Sequence, residues 1–147
     1  MDEPQLLVEA SPDRAAVGFL ETQITEFNFD TTGIRDGSEL GIFVREEGEI
    51  LAGVSGWTWG GCLYVQHLWV HESLRGRGTG GRLMDAAEAE AVARGCSQAL
   101  LETHSFQAPG FYAARGYETI GTAVDYPVGH AQYYLRKFLM AGAEAGR

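Results

Sequence analysis

A short run of glycines flanked by arginines is the part of this sequence best suited to bind an anion. The residues concerned, here called the glycine loop, are Arg75, Gly76, Arg77, Gly78, Thr79, Gly80 and Gly81. Glycine permits a tight turn and leaves no side chain in the way of a ligand. A helical pattern begins at the same place, and the first amides of a helix lack internal partners and carry the positive end of its dipole. The loop therefore predicts a phosphate or pyrophosphate site, to which Arg75 and Arg77 add charged donors.

Two other phosphate-binding motifs do not fit the loop. The NTPase motif requires lysine followed by serine or threonine after its last glycine, where this chain has Arg82 after Gly81. The dinucleotide fingerprint G-x-G-x-x-G fails because the glycines alternate and no early βαβ unit precedes them. An ordinary turn with solvated arginines is the remaining alternative, although glycines at a helix start cost backbone entropy without structural gain.

The loop and a later segment resemble two motifs of the GCN5-related N-acetyltransferase (GNAT) family. Arg75-x-x-Gly78-x-Gly80 is similar to the family signature Gln/Arg-x-x-Gly-x-Gly/Ala. The segment APGFYAARGY at 108–117 is similar to the second motif, Ala-x-x-Phe/Leu-Tyr-x-x-x-Gly-Phe/Tyr. Two motifs in the right order, about thirty residues apart, form a specific signal. The resemblance covers roughly 41–139.

This resemblance implies an N-acetyltransferase with acetyl-CoA as co-substrate and no metal. In the family the loop wraps the pyrophosphate, so residues 75–81 are the expected cofactor-binding residues. Backbone groups of Leu68, Trp69 and Val70 are expected to hold the pantetheine arm and to polarise the thioester carbonyl. Ser105 stands where many members have an asparagine that contacts pantetheine, and its hydroxyl is expected to make that contact.

Tyr112 is the candidate acid for the leaving thiolate. A phenol has a pKa of about 10, so it is protonated at neutral pH and can donate to sulfur. In the family, the tyrosine of the Phe-Tyr pair has this role, and Phe111-Tyr112 matches that pair. The alternative is that Tyr112 only packs a short helix on the sheet.

Glu102 is the candidate general base, since partial burial at a strand end would make a carboxylate more basic. A structural carboxylate paired with an arginine is an equally good interpretation. His104 is a weaker candidate, because a lone histidine at a strand end is more often simply exposed. Family bases often lie at the positions of Tyr64 and Gln66, which do not readily accept a proton, so deprotonation through an ordered water is an alternative. His67 points to the opposite face of the predicted strand from Tyr64 and Gln66, and it is expected in the core.

The residues named so far must be positioned by the elements that the periodicity predicts. These are strands at 5–9, 41–45, 49–59, 62–70, 98–103, 117–124 and 132–139, and helices at 11–28, from the glycine loop to Gly95, and at 109–115. The helix between the strands at 62–70 and 98–103 makes those two strands parallel. The fold class is α/β (α+β), with a mixed, mostly antiparallel central sheet flanked by helices, similar to the acyl-CoA N-acyltransferases. In that family the parallel pair splays apart and admits the pantetheine arm.

The bulk composition predicts one globular domain over 1–147, with a frayed tail from about residue 141. The chain has 147 residues, 45% of them apolar, and no run near the ~20 apolar residues that span a bilayer. The N-terminus lacks the layout of a secretory signal, and Cys62 and Cys96 lack metal spacing, so a cytoplasmic protein with reduced thiols is expected. The net charge of −9 disfavours nucleic acid or an anionic membrane as partner and favours a cationic acceptor.

Direct transfer of acetyl to the primary amine of a small, cationic molecule in a ternary complex is the predicted function. A protein lysine or N-terminal amine is the alternative acceptor, and a non-catalytic acyl-CoA-binding sensor is the alternative of another class. The resemblance also implies that the final strands can pair in a homodimer. Four aromatic residues are expected either in an acceptor pocket or in the core, Trp69 most readily in the core. They are Trp57, Trp59, Tyr64 and Trp69.

Overall fold

The computed structural model describes residues 1–139 and has one mixed sheet in that part of the chain. In chain order the elements are α1 (Arg14–Thr32), β1 (Ser38–Glu46), β2 (Glu49–Trp59), β3 (Cys62–Val70), a 3-10 turn (Glu72–Leu74), α2 (Thr79–Ala93), β4 (Gln98–His104), α3 (Pro109–Ala114), β5 (Glu118–Val124) and β6 (Ala131–Phe138). The strand order is β1-β2-β3-β4-β6-β5, and β3 and β4 are parallel while the other neighbours are antiparallel. The expected fold class is confirmed. The expected frayed tail lies outside the described residues.

Residues 1–35 form one compact unit, and the chain from residue 36 onward forms a second. In the first unit the predicted strand at 5–9 is wrong, because that segment has no regular structure and joins no strand of the described sheet. An isolated extended segment has no ladder to satisfy its backbone. The single domain expected over 1–147 stays a prediction.

Helix α1 begins later and ends later than its periodicity indicated. Asp13, not Ser11, is the N-cap, and its carboxylate accepts a hydrogen bond from the Ala15 amide at 3.3 Å. The helix continues past Asn28 because the first left-handed residue is Gly33, with φ 73°, whose amide closes the last turn.

Helix α2 packs the core of the second unit against one face of the sheet. Its predicted apolar face is buried as expected: Leu83, Met84, Ala87 and Ala91. These side chains meet buried residues of four strands, namely Ala52, Val54, Leu63, Val65, Ala99, Leu101 and Leu135. In the part of the chain that the structure describes, no helix combines the length and the apolar character needed to cross a membrane.

A bulge at Gln66 changes which side chains of β3 face the core. Ser55 of β2 pairs with His67 and Gly56 pairs with Val65, so Gln66 is the extra residue. An extra residue reverses the alternation of faces after it. His67 is therefore exposed, and the expectation of a core histidine is wrong. Trp69 is 48% exposed for the same reason, so its assignment to the core is also wrong.

Gly56 is where β2 approaches the bulge most closely. A Cβ built at this position would lie 1.9 Å from the Tyr64 carbonyl oxygen, which is backbone and cannot turn aside. We therefore expect Gly56→Ala to lower the free energy of unfolding by about 1–3 kcal/mol or more, as overpacking does. Urea denaturation measures this. Gly18→Ala in α1 is the matched control, because a Cβ there has nothing within 4 Å, and a Gly56→Ala variant as stable as this control would contradict the close approach.

Candidate active site

The parallel strands β3 and β4 separate in the middle of the sheet. Their pairing runs from Cys62 with Gln98 to Val65 with Leu101 and goes no further, although β3 continues to Val70. A cavity of about 990 Å³ opens where they part. Nine of the expected cofactor-binding residues line it: Leu68, Trp69, Val70, Arg75, Gly76, Gly78, Thr79, Gly80 and Gly81. Arg77 and Ser105 are not among its lining residues.

The glycine loop lines this cavity and leads into a helix whose first amides have no helical partner. Gly76 and Gly78 adopt left-handed conformations with φ of 77° and 80°, and Gly78 is the N-cap of α2. The first helical bond runs from the Arg82 amide to the Gly78 carbonyl at 3.0 Å, so the amides of residues 79–81 have no helical carbonyl to bond. The Arg75 Nε donates to the Val70 carbonyl at 2.9 Å, which ties the loop to the end of β3. The arrangement suits a diphosphate.

Helix α3 packs against the start of α2 and brings the two sequence motifs together. A Cβ on Gly80 would touch Phe111 at 3.6 Å, and a Cβ on Gly81 would lie 3.1 Å from the Arg115 guanidinium. Arg115 also forms an ion pair with Asp85 of α2. Glycines at the start of α2 therefore leave room for α3 as well as for a ligand.

Tyr112 of α3 lines the same cavity and is mostly buried. Its ring makes edge contacts with Phe111 and Tyr117, at centroid distances of 5.0 and 5.8 Å. Desolvation by burial raises the pKa of the Tyr112 phenol, because burial penalises the charged form. The hydroxyl consequently stays protonated at neutral pH, as a proton donor requires.

A second, smaller cavity of about 480 Å³ adjoins the first near Glu102. Five residues line both cavities: Val65, Gln66, Glu102, Thr103 and Gln107. The smaller cavity is otherwise lined by Tyr64, His104, Tyr126, Gln132 and Tyr134. Glu102 is thus the charged residue on the boundary between the two spaces.

The surroundings of Glu102 differ from both expectations for it. The side chain is exposed, so the expected partial burial is wrong. Its partners are not an arginine but the Tyr64 hydroxyl and the Gln132 carboxamide, which donate to its two oxygens. The pKa of Tyr64 is raised to about 12, chiefly because burial penalises the charged phenolate and secondly because the hydroxyl donates to Glu102. Tyr64 is therefore a hydrogen-bond donor at neutral pH.

The other polar candidates near the end of β4 are placed differently from one another. His104 lines the smaller cavity, half-buried, with its ring stacked on Phe106 at 5.2 Å. Ser105 is turned to β6 instead: its hydroxyl accepts from the Ala131 amide at 3.1 Å. Gln107 reaches both cavities, with its carbonyl oxygen accepting from the His104 amide at 2.6 Å. Gln107 and Gln132 carried no sequence signal, because only the turn and the strand register bring them here.

The tryptophans stand apart from the smaller cavity. Trp57 packs on Tyr64 at a centroid distance of 4.7 Å and is 42% exposed. Trp69 lines the larger cavity, whereas Trp57 and Trp59 line neither. Among the described residues, no group of three or more His, Cys, Asp or Glu could hold a metal ion.

Known proteins are similar to this chain in sequence and in fold. The model of the acetyltransferase (GNAT) family matches residues 5–117. A blasticidin-S acetyltransferase of Streptomyces morookaense is 43% identical over 98 residues, covering 64% of this chain and 70% of that protein. An acetyltransferase structure from Bacillus cereus is 32% identical, with a TM-score of 0.75 over 90% of this chain and 98% of that one. A putative acetyltransferase structure from Agrobacterium tumefaciens is 29% identical, with a TM-score of 0.85 over 92% of this chain and 100% of that one.

Proposed function

The chain belongs to the GNAT family of acetyltransferases, and on that premise we propose that it transfers acetyl directly from acetyl-CoA to the primary amine of a small, cationic molecule. Acetyl-CoA is the donor that this family uses. One observation carries the proposal: the glycine loop and Tyr112 line one cavity, and that cavity meets a second one at Glu102. Donor and acceptor can therefore be bound together.

The donor side of the reaction rests on the larger cavity. The diphosphate of acetyl-CoA lies against the amides of residues 76–81, with Arg75 beside it. The pantetheine arm follows Leu68–Val70, where β3 is free of β4 and its backbone groups can bond the arm and the thioester carbonyl. Such donors stabilise the oxyanion that develops on the carbonyl. Arg77 and Ser105 remain candidate contacts at the edge of this site.

The acceptor side rests on the smaller cavity. The amine nitrogen attacks the thioester carbon, the carbon–sulfur bond breaks, and Tyr112 gives its proton to the leaving thiolate. Glu102 takes the proton that the amine loses, directly or through a water, with His104 as a weaker candidate for the same role. Cys62 and Cys96 line neither cavity, which supports direct transfer over an acetyl-cysteine intermediate.

A cationic acceptor is favoured by the charges around the smaller cavity. Glu102 is its formally charged lining residue, and the remaining lining side chains are one histidine, the aliphatic Val65 and neutral polar or aromatic groups. The net charge of −9 adds a long-range attraction for cations. Blasticidin-S is the first acceptor to test, because the relative that is 43% identical is named for acetylating it.

An acceptor screen tests this function. Purified protein with acetyl-CoA should release CoA thiol when blasticidin-S or another small basic amine is present. Peptides that contain lysine and peptides with a free N-terminal amine are the alternative acceptors. With the best acceptor, Glu102→Gln should lower kcat/KM by about 10²–10⁴-fold, the usual contribution of a general base. Glu118→Gln on β5, which lines neither cavity, is the matched control.

Each other outcome of the screen has a definite meaning. Release with peptides but with no small amine would replace the proposal by a protein acetyltransferase. Tight binding of acetyl-CoA without release for any amine would replace it by an acyl-CoA sensor. Full activity of Glu102→Gln with a small amine would remove Glu102 as the base and leave the acetyltransferase activity standing.

A further inference from the structure

Glu102 is held in an unusual way for an exposed carboxylate. A glutamate side chain at a surface normally samples several rotamers, and fixing it costs conformational entropy. Here both carboxylate oxygens accept hydrogen bonds, one from Tyr64 of β3 and one from Gln132 of β6. Strands on both sides of β4 therefore contribute a donor to one carboxylate.

Gln132 of β6 is buried, and its carboxamide donates a hydrogen bond to Glu102. It is 6% exposed, and a buried carboxamide needs hydrogen-bond partners. In the register of β4 with β6, Gln132 lies opposite His104 and Tyr134 lies opposite Glu102. Gln132 and Tyr134 are two residues apart and therefore lie on the same face of β6. The carboxamide therefore reaches Glu102 diagonally, within the range of long side chains on neighbouring strands.

Tyr64 lies beside the point where the sheet opens. Its register partner on β4 is Leu100, and the pairing of β3 with β4 ends one residue later at Val65 and Leu101. The Tyr64–Glu102 hydrogen bond thus spans the two strands next to the gap between them. A carboxylate fixed here faces both cavities.

We propose that Gln132 is a positioning residue, which together with Tyr64 fixes the Glu102 carboxylate at the junction of the two cavities so that it can receive the proton of the acceptor amine. This inference rests on the proposed function, since it acts through Glu102 as the base. Gln132 lines only the smaller cavity, so its effect falls on the acceptor half of the reaction. Tyr64 is the second donor of the same arrangement.

Steady-state kinetics with the acceptor from the screen tests the proposal. Gln132→Met keeps the length of the side chain and removes both amide donors. We expect it to lower kcat/KM for the amine at least tenfold and to leave KM for acetyl-CoA within twofold of wild type. Gln98→Met on β4 is the matched control, because Gln98 lines neither cavity, and it should leave both constants within twofold. Gln132→Asn, which keeps the amide but shortens its reach, serves if the methionine variant does not fold.

A double-mutant cycle separates positioning from a general effect on the fold. In a Glu102→Gln background, Gln132→Met should lower activity by less than twofold, because the group it positions is already gone. An equal loss in both backgrounds would overturn the proposal, as would a Gln132→Met variant with the activity of Gln98→Met. Failure of the proposed function looks different: the wild-type protein would then release no CoA from acetyl-CoA with any small amine. Full activity of Glu102→Gln would instead remove the base through which Gln132 is proposed to act, and would overturn this proposal alone.

The pH profile gives a third readout, which tests whether the carboxylate that Gln132 contacts is the base. Gln132→Glu places a second carboxylate beside Glu102, and neighbouring carboxylates disfavour each other's ionisation. The pH at which kcat/KM falls on the acid side should therefore rise relative to wild type, and an unchanged acid limb would contradict the proposal. The other titratable groups that line the smaller cavity with Glu102 are Tyr64, His104, Tyr126 and Tyr134. Arg136 lies two residues beyond Tyr134 on β6 and is paired in register with Glu118 of β5.

Discussion

Replacing Gly80 with glutamate is expected to weaken acetyl-CoA binding at least 100-fold, about 2.7 kcal/mol, while the protein still folds. The position has an ordinary backbone conformation, and an added Cβ would make van der Waals contacts of 3.6–3.8 Å with Phe111 and Val70. The longer side chain would place a carboxylate at the start of α2, where the diphosphate is expected. Two anions would then compete for the same amides. Isothermal titration calorimetry measures the loss.

Gly80→Ala is the matched control, because it adds the Cβ without the charge. We expect it to bind acetyl-CoA within a few-fold of wild type. Gly78 is the less suitable position for this experiment, since its φ of 80° strains any other residue. A folded Gly80→Glu protein with wild-type affinity would remove the diphosphate from the glycine loop, and the proposed orientation of the thioester with it.

Removing the Tyr112 hydroxyl is expected to slow the chemical step. Tyr112→Phe should lower kcat by about 10²-fold or more, in the range of general acid catalysis, and leave the Kd for acetyl-CoA nearly unchanged. Rapid-quench or steady-state kinetics with the acceptor from the screen measures kcat, and calorimetry measures the Kd. Tyr133→Phe is the matched control, because Tyr133 packs partly buried against the core and lines neither cavity.

The pH dependence of kcat follows from the state of the same phenol. Burial raises the pKa of Tyr112, so the group stays protonated and active below that pKa and is lost as an acid only when the pH rises through it. The wild-type enzyme should therefore keep its activity beyond pH 10, where an unperturbed phenol would be half ionised. A Tyr112→Phe variant with full kcat would show that another group, or water, protonates the thiolate.

Much of the structure of the candidate site could be predicted from the sequence because its signals are local. Gly76 and Gly78 predict a tight turn, and both positions have positive φ. The apolar spacing after the loop predicts the buried face of α2, and the intervening helix predicts that β3 and β4 are parallel. The turns and the helix face depend on residues within one or two turns of chain, where propensity and periodicity act directly. The parallel pair follows from the crossover helix that connects the two strands.

What only the tertiary structure decided depends on register between distant strands. Strand parity placed His67 in the core, and the usual burial of large aromatic side chains placed Trp69 there. The bulge opposite Gly56 reverses the faces beyond Gln66 and exposes both. The partners of Glu102 come from β3 and β6, 38 and 30 residues away in the chain. A bulge or a diagonal contact is set by how two strands align, and residue types along one strand carry little information about that alignment. The conformation of the glycine loop could therefore be predicted from the sequence, whereas the surroundings of Glu102 are set by the assembled sheet.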